Sequence, residues 1–537
     1  MNADIHAIEI VFLLLLFFVV VFGALARKLQ TPFPIVMVIG GLLLSFVPGI
    51  PRVALNPDIV FLVILPPLLY NAAWLTSWRE FSYNLVSILF LAFGLVTFTV
   101  VGVSYAVHSF LPGLDWRMGL VLGAVVAPTD AIAATSIATR IGLPKRVVDL
   151  LEGESLLNDA TALLALEFGI ALLVGGQRPT FAMGFLRLAY LVTGGVAIGL
   201  VIGEIVHQIE DRIDDAPIEI ALSILTPYVA YLSAEAAHAS GVLAVVVCGL
   251  YLTRKSSHFF SPNVRLQAWA VWDSLTFILN GLVFVLIGLQ LPYVMQTIHD
   301  LDLRTLILYG AIFSAFLIVL RLIWAYPGAY FSHLIRHHIL HQKEPPPTPR
   351  QVFVVGWTGM RGVISLAAAI AVPQVLANGE PFVQRNMIIF LTFSVILVTL
   401  VLQGLTLPPL IRALGLAGAS SHNDEEQEAR KIMFEAALAH LEERSGETAG
   451  AQDEVYRELT QHYQRRLAAL GEDESHLNSA TSADSHTSFA DVARELLRVE
   501  RQAAVQLRNQ RRIGDELLRE LEHELDLGEL KFQVKRR

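Results

Sequence analysis

Four ionisable side chains, Asp130, Glu154, Asp159 and Arg361, stand inside stretches that are otherwise apolar. Charge in an apolar medium is costly, so residues of this kind mark places where a protein binds or moves something. The run LLEGESLLNDATALLALEF puts Glu154 and Asn158 four apart on one helical face, and Ser155 and Asp159 four apart on the adjacent face. Carboxylate and hydroxyl oxygens at such spacing suit a hard cation such as Na⁺. Withdrawal from water favours the neutral form of a carboxyl. A single carboxylate there can hold either a proton or a cation, and competition between the two is the minimal chemistry of antiport.

A second group of residues predicts broken helices. In GAVVAPTDAIAATSIA, Pro128 supplies no N–H and disfavours helix at Ala127. Thr129 and Asp130 then open a second half-helix, where an aspartate caps exposed N–H groups and offsets the positive dipole end. In VVGWTGMRGVISLAAAIA, Gly356, Gly359 and Gly362 predict a second interruption. Two interrupted helices of opposite sense point to an inverted-repeat transporter with its site near the midplane. Arg361 and Glu154 fall at similar depths, and a buried arginine needs an anion. That predicts an ion bridge between Glu154 and Arg361 that leaves Asp159 free.

The elements that position these groups are membrane spans. The chain has 537 residues, of which 54% are hydrophobic and 16% charged, with a net charge of −9. This excludes disorder, collagen and a nucleic-acid binder, and argues against a soluble enzyme. Thirteen stretches approach or exceed the length needed to cross a bilayer. They lie near 8–26, 33–50, 58–75, 82–109, 117–139, 147–174, 181–206, 217–238, 240–253, 268–291, 305–330, 351–376 and 385–411. The eighth and ninth are separated at His238-Ala239-Ser240-Gly241. Alternate loops, with Arg27, Lys28, Arg140, Lys145, Arg146, Arg254 and Lys255 among them, are about twice as rich in Lys and Arg as the others, which makes them cytoplasmic. The expected arrangement is a multi-pass protein of the plasma (inner) membrane with an external N-terminus and a cytoplasmic tail. The N-terminal apolar run lacks a basic n-region and reads as a first span rather than a signal peptide.

APTDAIAATS, EGESLLNDATA and GWTGMRGVISLA resemble the core motifs of the cation:proton antiporter family 1, the NhaP and NHE type sodium/proton exchangers. The resemblance implies that Asp159 is the ion- and proton-binding carboxylate. Ser155 and the Thr129 main chain would help ligate Na⁺. Asp130 would bond Asn158 and hold the broken helix in register, and Glu154 with Arg361 would form the structural ion bridge. It further implies a homodimer working by an elevator-like movement, and electroneutral exchange from the Asn-Asp pair. Asn71, in LPPLLYNAAW, departs from the acidic residue that similar proteins often have there. Its amide is a candidate cation ligand that cannot bind a proton.

Each residue also has a plainer reading. Asp130 is a half-helix cap in one reading and an ion contact in the other; Asn158 is a bridge more than a ligand; Ser155 and Thr129 have the alternative of bonding within the backbone. Asn71 is an ion ligand or an interhelical hydrogen-bonder. Arg321 is expected to snorkel to the cytoplasmic surface. His333, His337 and His341 sit at four-residue spacing beside His338, a pattern that fits pH sensing better than a metal site. Gly195, Gly199 and Gly203 form a small-residue stripe for close packing within a protomer. Cys248 is a packing residue, and no intrachain disulfide is possible with one cysteine.

The expected fold is all-α and polytopic, with crossed broken helices at 117–139 and 351–376. The membrane domain covers 1–412, with a core at about 82–174 and 305–411 and the other helices as scaffold. A helical cytoplasmic tail covers 413–537, with a helix near 424–445, a linker at 471–488 and a longer amphipathic helix from Val492 to Leu525. The expected activity is exchange of Na⁺ for protons, with no cofactor, enzymatic chemistry or nucleic-acid partner. The alternatives are K⁺/H⁺ exchange on the same fold and, in another class, a cation channel or membrane sensor.

Overall fold

The computed structural model describes residues 2–48, 55–110, 115–174, 181–213, 215–259, 262–296, 302–342, 345–376, 381–382, 384–418, 422–445, 451–468, 486–510 and 512–533. Among the described residues every extended element is helical, and an isolated bridge pairs Val375 with Pro381.

The chain opens with α1 (Asn2–Leu29) and α2 (Phe33–Leu44). Next, α3 (Pro57–Ile59) runs through a π-helical turn at Val60–Ile64 into α4 (Leu65–Leu75). A second π-turn, Phe90–Leu95, joins α5 (Trp78–Leu89) to α6 (Val96–Phe110). Such a turn leaves a carbonyl outside the regular ladder, and Trp324 Nε1 donates to Phe90 O at 3.1 Å. The fifth predicted stretch is split into α7 (Trp116–Val126) and α8 (Ile132–Ile141). Asp115 starts α7 by accepting the N–H groups of Arg117 and Met118, and Gly142, at φ 71°, ends α8 in the left-handed conformation.

Long helices follow: α9 (Lys145–Val174), α10 (Phe181–Glu210), α11 (Ala216–Ala236), α12 (Gly241–Phe259) and α13 (Pro262–Leu289). The predicted division after α11 is present, and Ser240 Oγ accepts the Leu243 N–H at the start of α12. The glycine stripe of α10 faces α12 within the chain. A Cβ at Gly199 would lie 2.5 Å from Ala244 O, and one at Gly195 2.8 Å from Ser240 O.

After α14 (Leu291–Gln296) comes α15 (Leu303–His338), which continues through Pro327. The twelfth stretch is split into α16 (Pro349–Trp357) and α17 (Val363–Ala371). Thr348 and Gln351 form a capping box around Pro349 at the start of α16. The last stretch is α18 (Arg385–Val398), a π-turn at Thr399–Gln403 and α19 (Gly404–Ala413). Each predicted stretch therefore holds a helix or a broken helix. Nine helices among the described residues are long and apolar enough to cross a membrane.

The chain divides into two compact units. The first covers 1–213, 218–259 and 271–419. Its largest core gathers Val121, Val125, Ala133, Leu166, Leu366 and Ile396, from α7, α8, α9, α17 and α18. The second unit contains 214–217, 260–270 and 420–537. It holds α20 (His422–Ser445), α21 (Ala451–Ala468), α22 (His486–Asn509) and α23 (Asp515–Gln533).

The long amphipathic tail helix is corrected to two helices, α22 and α23. Gly514 N–H leaves the ladder and donates to Glu425 Oε1 at 2.8 Å. The apolar positions continue across the break because both helices bury them in one core, with Leu507, Leu517, Leu521 and Leu525 against Met433. Helix α21 was not anticipated, and its Val455, Leu459 and Tyr463 complete a second core with Phe434 and Leu496. In the same unit Arg265 pairs with Asp526 at 2.6 Å and Glu522 at 3.5 Å. Most of the expected 471–488 linker lies outside the described residues.

Candidate ion-binding site

The two helix breaks meet. The unwound segment between α7 and α8 and that between α16 and α17 are joined main chain to main chain, Asp130 N–H donating to Met360 O at 2.8 Å. A Cβ at Gly362 would lie 2.3 Å from Asp130 Oδ2, so the close approach requires glycine there. Asp130 Oδ1 accepts the N–H of Ile132, the first residue of α8, at 2.9 Å, from one position ahead of the Ala131 N-cap.

The pairing of the buried charges differs from expectation. Glu154 is paired with Arg321, not Arg361: the guanidinium of Arg321 binds both Glu154 oxygens, at 2.5 and 2.8 Å. Both residues are almost fully buried. Arg321 was expected at the cytoplasmic end of a span closing near residue 330. Instead α15 runs to His338, which puts Arg321 at the middle of the helix, where snorkelling cannot reach water. The length of the helix past Pro327 was the signal needed. Arg321 also donates to Val355 O at 3.1 Å.

Arg361 has a different task. Its Nε donates to Val126 O at 3.0 Å, its Nη1 to Gly359 O, and its main-chain N–H goes to Thr399 Oγ1 at 3.2 Å. The guanidinium thus satisfies the terminal carbonyl of α7 and one in the second break, at a negative dipole end. Thr399, in the third π-turn, was not singled out from sequence.

Asn158 is corrected in the same way. Its Nδ2 donates to Thr129 Oγ1 at 2.6 Å and to Thr129 O at 3.3 Å, rather than to Asp130. The Thr129 hydroxyl in turn donates to Glu154 Oε1 at 2.8 Å. Arg321, Glu154, Thr129 and Asn158 are therefore one continuous buried chain. Ser155 Oγ accepts the Ala131 N–H at 3.3 Å, so it bonds to the α7–α8 break rather than back into its own helix.

Two groups are left over beside this chain. Asn158 Oδ1 is buried and has no hydrogen-bond partner among the described residues. Asp159 is 4% exposed, and no described side chain or main-chain group bonds it or pairs with it. The nearby charge whose field falls on it is Asp130. An uncompensated carboxylate and an uncompensated amide oxygen on consecutive residues of α9 are groups that a proton or a small cation would satisfy. Asn71 is half-buried on α4 and bonds to none of these residues. His333 and His337 stack on α15 with ring centroids 5.9 Å apart, and no group of three or more His, Cys, Asp or Glu among the described residues is arranged to hold a metal.

The family model described as "Sodium/hydrogen exchanger, transmembrane" matches residues 13–413. The chain belongs to the sodium/hydrogen exchanger family. A protein of Mycobacterium bovis named as an uncharacterized Na⁺/H⁺ exchanger is 36% identical over 519 residues, covering 96% of this chain and 94% of that one. A Bacillus pumilus protein named as a sodium, potassium, lithium and rubidium/H⁺ antiporter is 32% identical over 425 residues, covering 77% of this chain and 62% of its own. The solved structure of the sodium proton antiporter MjNhaP1 from Methanocaldococcus jannaschii has the same fold, with a TM-score of 0.61 at 19% identity, covering 78% of this chain and 99% of that one. This sodium/hydrogen exchanger family member is thus a multi-pass membrane transporter with the fold of MjNhaP1.

Proposed function

We propose that this chain exchanges Na⁺ for protons, one for one, with Asp159 alternately holding the cation and the proton. The observation that carries the reading is the unbonded Asp159 carboxylate, which follows Asn158, with its free Oδ1, along α9 and lies in the field of Asp130 at the first helix break. Asp159 gives up its proton on one side of the membrane and takes a cation there. Asn158 Oδ1, Ser155 Oγ and main-chain oxygen at the Thr129 break complete the coordination. Asp130 contributes field and caps α8. After the site reaches the other side, the cation leaves and a proton returns. One carboxylate serving both ions gives electroneutral turnover.

The moving part comprises about 82–174 and 305–411, and the remaining helices of 1–412 form a scaffold for an elevator-type movement and for a homodimer. The protein is assigned to the plasma membrane, with the N-terminus outside and the tail of 413–537 in the cytoplasm, in keeping with the Lys and Arg bias of its loops.

A second reading, K⁺ for protons at the same residues, is favoured by the name of the Bacillus pumilus relative, which includes potassium. Proton movement in proteoliposomes, driven in turn by Na⁺, Li⁺ and K⁺ with and without an ionophore clamp, separates the two. The first reading predicts Na⁺-driven flux that the clamp leaves unchanged. A K⁺ response with none to Na⁺ selects the second, and current without proton movement excludes both.

A further inference from the structure

Helix α13 begins in one compact unit and ends in the other. Its first turns, to Ala270, lie with the tail helices, and the rest lies among the membrane helices. Arg265 fixes the first part. Its guanidinium forks onto the Asp526 carboxylate of α23, Nε to Oδ2 at 2.6 Å and Nη2 to Oδ1 at 3.0 Å, and reaches Glu522 at 3.5 Å. Arg501 of α22 donates to the same Asp526 at 2.7 Å. Asp526 is fully buried. A buried carboxylate held in this forked, doubly paired way is a durable joint, because removing one partner strands a charge.

The membrane part of α13 packs on other scaffold helices. It lies so close to α2 that a Cβ at Gly41 would meet Val285 O at 2.3 Å, and Trp272 donates to Ser223 of α11 at 3.0 Å. The tail is thus bonded to a scaffold helix. Its covalent end lies elsewhere. Beyond α19 the chain stays tied to the proposed moving part. Arg350 of α16 donates to Leu414 O at 3.3 Å, and Gly418 N–H donates to the carbonyl of Ile141, the last residue of α8, at 3.2 Å. Helix α20 starts at His422. It is held to α23, since Arg430 pairs with Glu524 at 2.6 Å and Met433 shares a core with Leu521 and Leu525.

Four residue steps, from Gly418 to His422, therefore join a point fixed on the moving part to a domain bonded to the scaffold. A chain of that length spans at most about 13–14 Å, at roughly 3.3–3.6 Å per residue. We infer that this segment is a leash, and that the Arg265 joint makes the tail a stop that limits how far the moving part travels. This rests on the proposed division into moving part and scaffold, and is independent of which ion Asp159 carries.

Proton exchange in proteoliposomes holding the full-length protein, driven by Na⁺ and by K⁺ in turn, tests it. About eight Gly and Ser residues inserted between Ala419 and Ser420 lengthen the leash and leave every bonded side chain in place. Arg265→Gln opens the joint instead. Each is expected to raise the maximal rate severalfold, and the two together no further than the insertion alone, because leash and joint act in series. If Arg265→Gln does not fold, the insertion decides. A wild-type or lower rate in the insertion variant overturns the inference. The movement is tested apart from the leash. Arg140 of α8 donates to Gln30 O, between α1 and α2, at 2.8 Å, which links the two parts. A short bifunctional thiol reagent can bridge Gln30→Cys to Arg140→Cys, and the native Cys248 is buried. Exchange that survives the bridge overturns the division into moving part and scaffold, and the leash with it. Exchange that stops on bridging but is unchanged by the insertion overturns the leash alone.

Discussion

The side-chain amide of Asn158 donates to the Thr129 hydroxyl at 2.6 Å. That bond joins α9 to the break between α7 and α8, and it decides which way the amide faces. With Nδ2 committed to Thr129, Oδ1 is the end left without a partner. The Thr129 hydroxyl can accept from Asn158 only because it donates to Glu154, and Glu154 is held by Arg321. The orientation of a cation ligand thus depends on an ion pair two side chains away.

Thr129→Val removes both bonds at nearly constant volume, whereas Thr129→Ser keeps them. The valine variant is expected to lose about 10–100-fold in apparent cation affinity, in the manner of other side chains that orient a ligand. The serine variant should stay near wild type. Cation titration of proton flux in proteoliposomes measures both.

Glu154→Gln or Arg321→Gln leaves a buried charge without its partner and should cost about 3–5 kcal/mol of stability. The double substitution should recover much of that loss. Combining Glu154→Gln with Arg361→Gln should recover none, since Arg361 bonds carbonyls instead. Chemical denaturation in detergent, arranged as a double-mutant cycle, distinguishes the two arginines.

The overall arrangement was legible in the sequence because its signals are local. Pro128 and the glycines around Arg361 marked the two breaks, and apolar length marked the spans. The four-residue spacing in α9 singled out Asp159 and Ser155. The partners were not legible. Which arginine meets Glu154 depends on how far α15 continues past Pro327: the predicted span closes near residue 330, whereas the helix runs on to His338. Whether Asn158 meets Thr129 or Asp130 depends on backbone geometry inside a five-residue unwound segment, which periodicity does not reach. In the tail, heptad-like spacing carried on across Gly514 because α22 and α23 line one core, and the sequence pattern could not show the turn.

Gly362→Ala places a methyl where Asp130 Oδ2 now lies, 2.3 Å from the new carbon. The break must open to admit it. The expected cost is about 1–3 kcal/mol, typical of overpacking, with loss of exchange out of proportion to the loss of folded protein. Flux normalised to monodisperse protein checks this.

In the tail, the Tyr463 hydroxyl donates to Glu500, which is 1% exposed. Burial pushes the Glu500 carboxyl above the usual carboxylate range, against the opposing effect of that hydrogen bond and of Arg466 and Arg430. The folded tail therefore holds this proton to higher pH than the unfolded chain does. The contribution of Glu500 to stability is full below the ordinary carboxylate pKa and falls as pH rises through the folded value. Glu500→Gln should remove that decline. Hydrogen exchange of α21 and α22 amides in the full-length protein, followed across the weakly acidic range, reads it.

Asp159→Asn tests the central claim most directly. The variant keeps the size of the side chain and every bond of the Arg321–Glu154–Thr129–Asn158 chain, so it should purify and melt like wild type. Reconstituted in proteoliposomes under a Na⁺ gradient, it is predicted to move no protons. Sodium-driven proton movement at the wild-type rate from folded Asp159→Asn protein would contradict the assignment of Asp159 as the exchanging carboxylate.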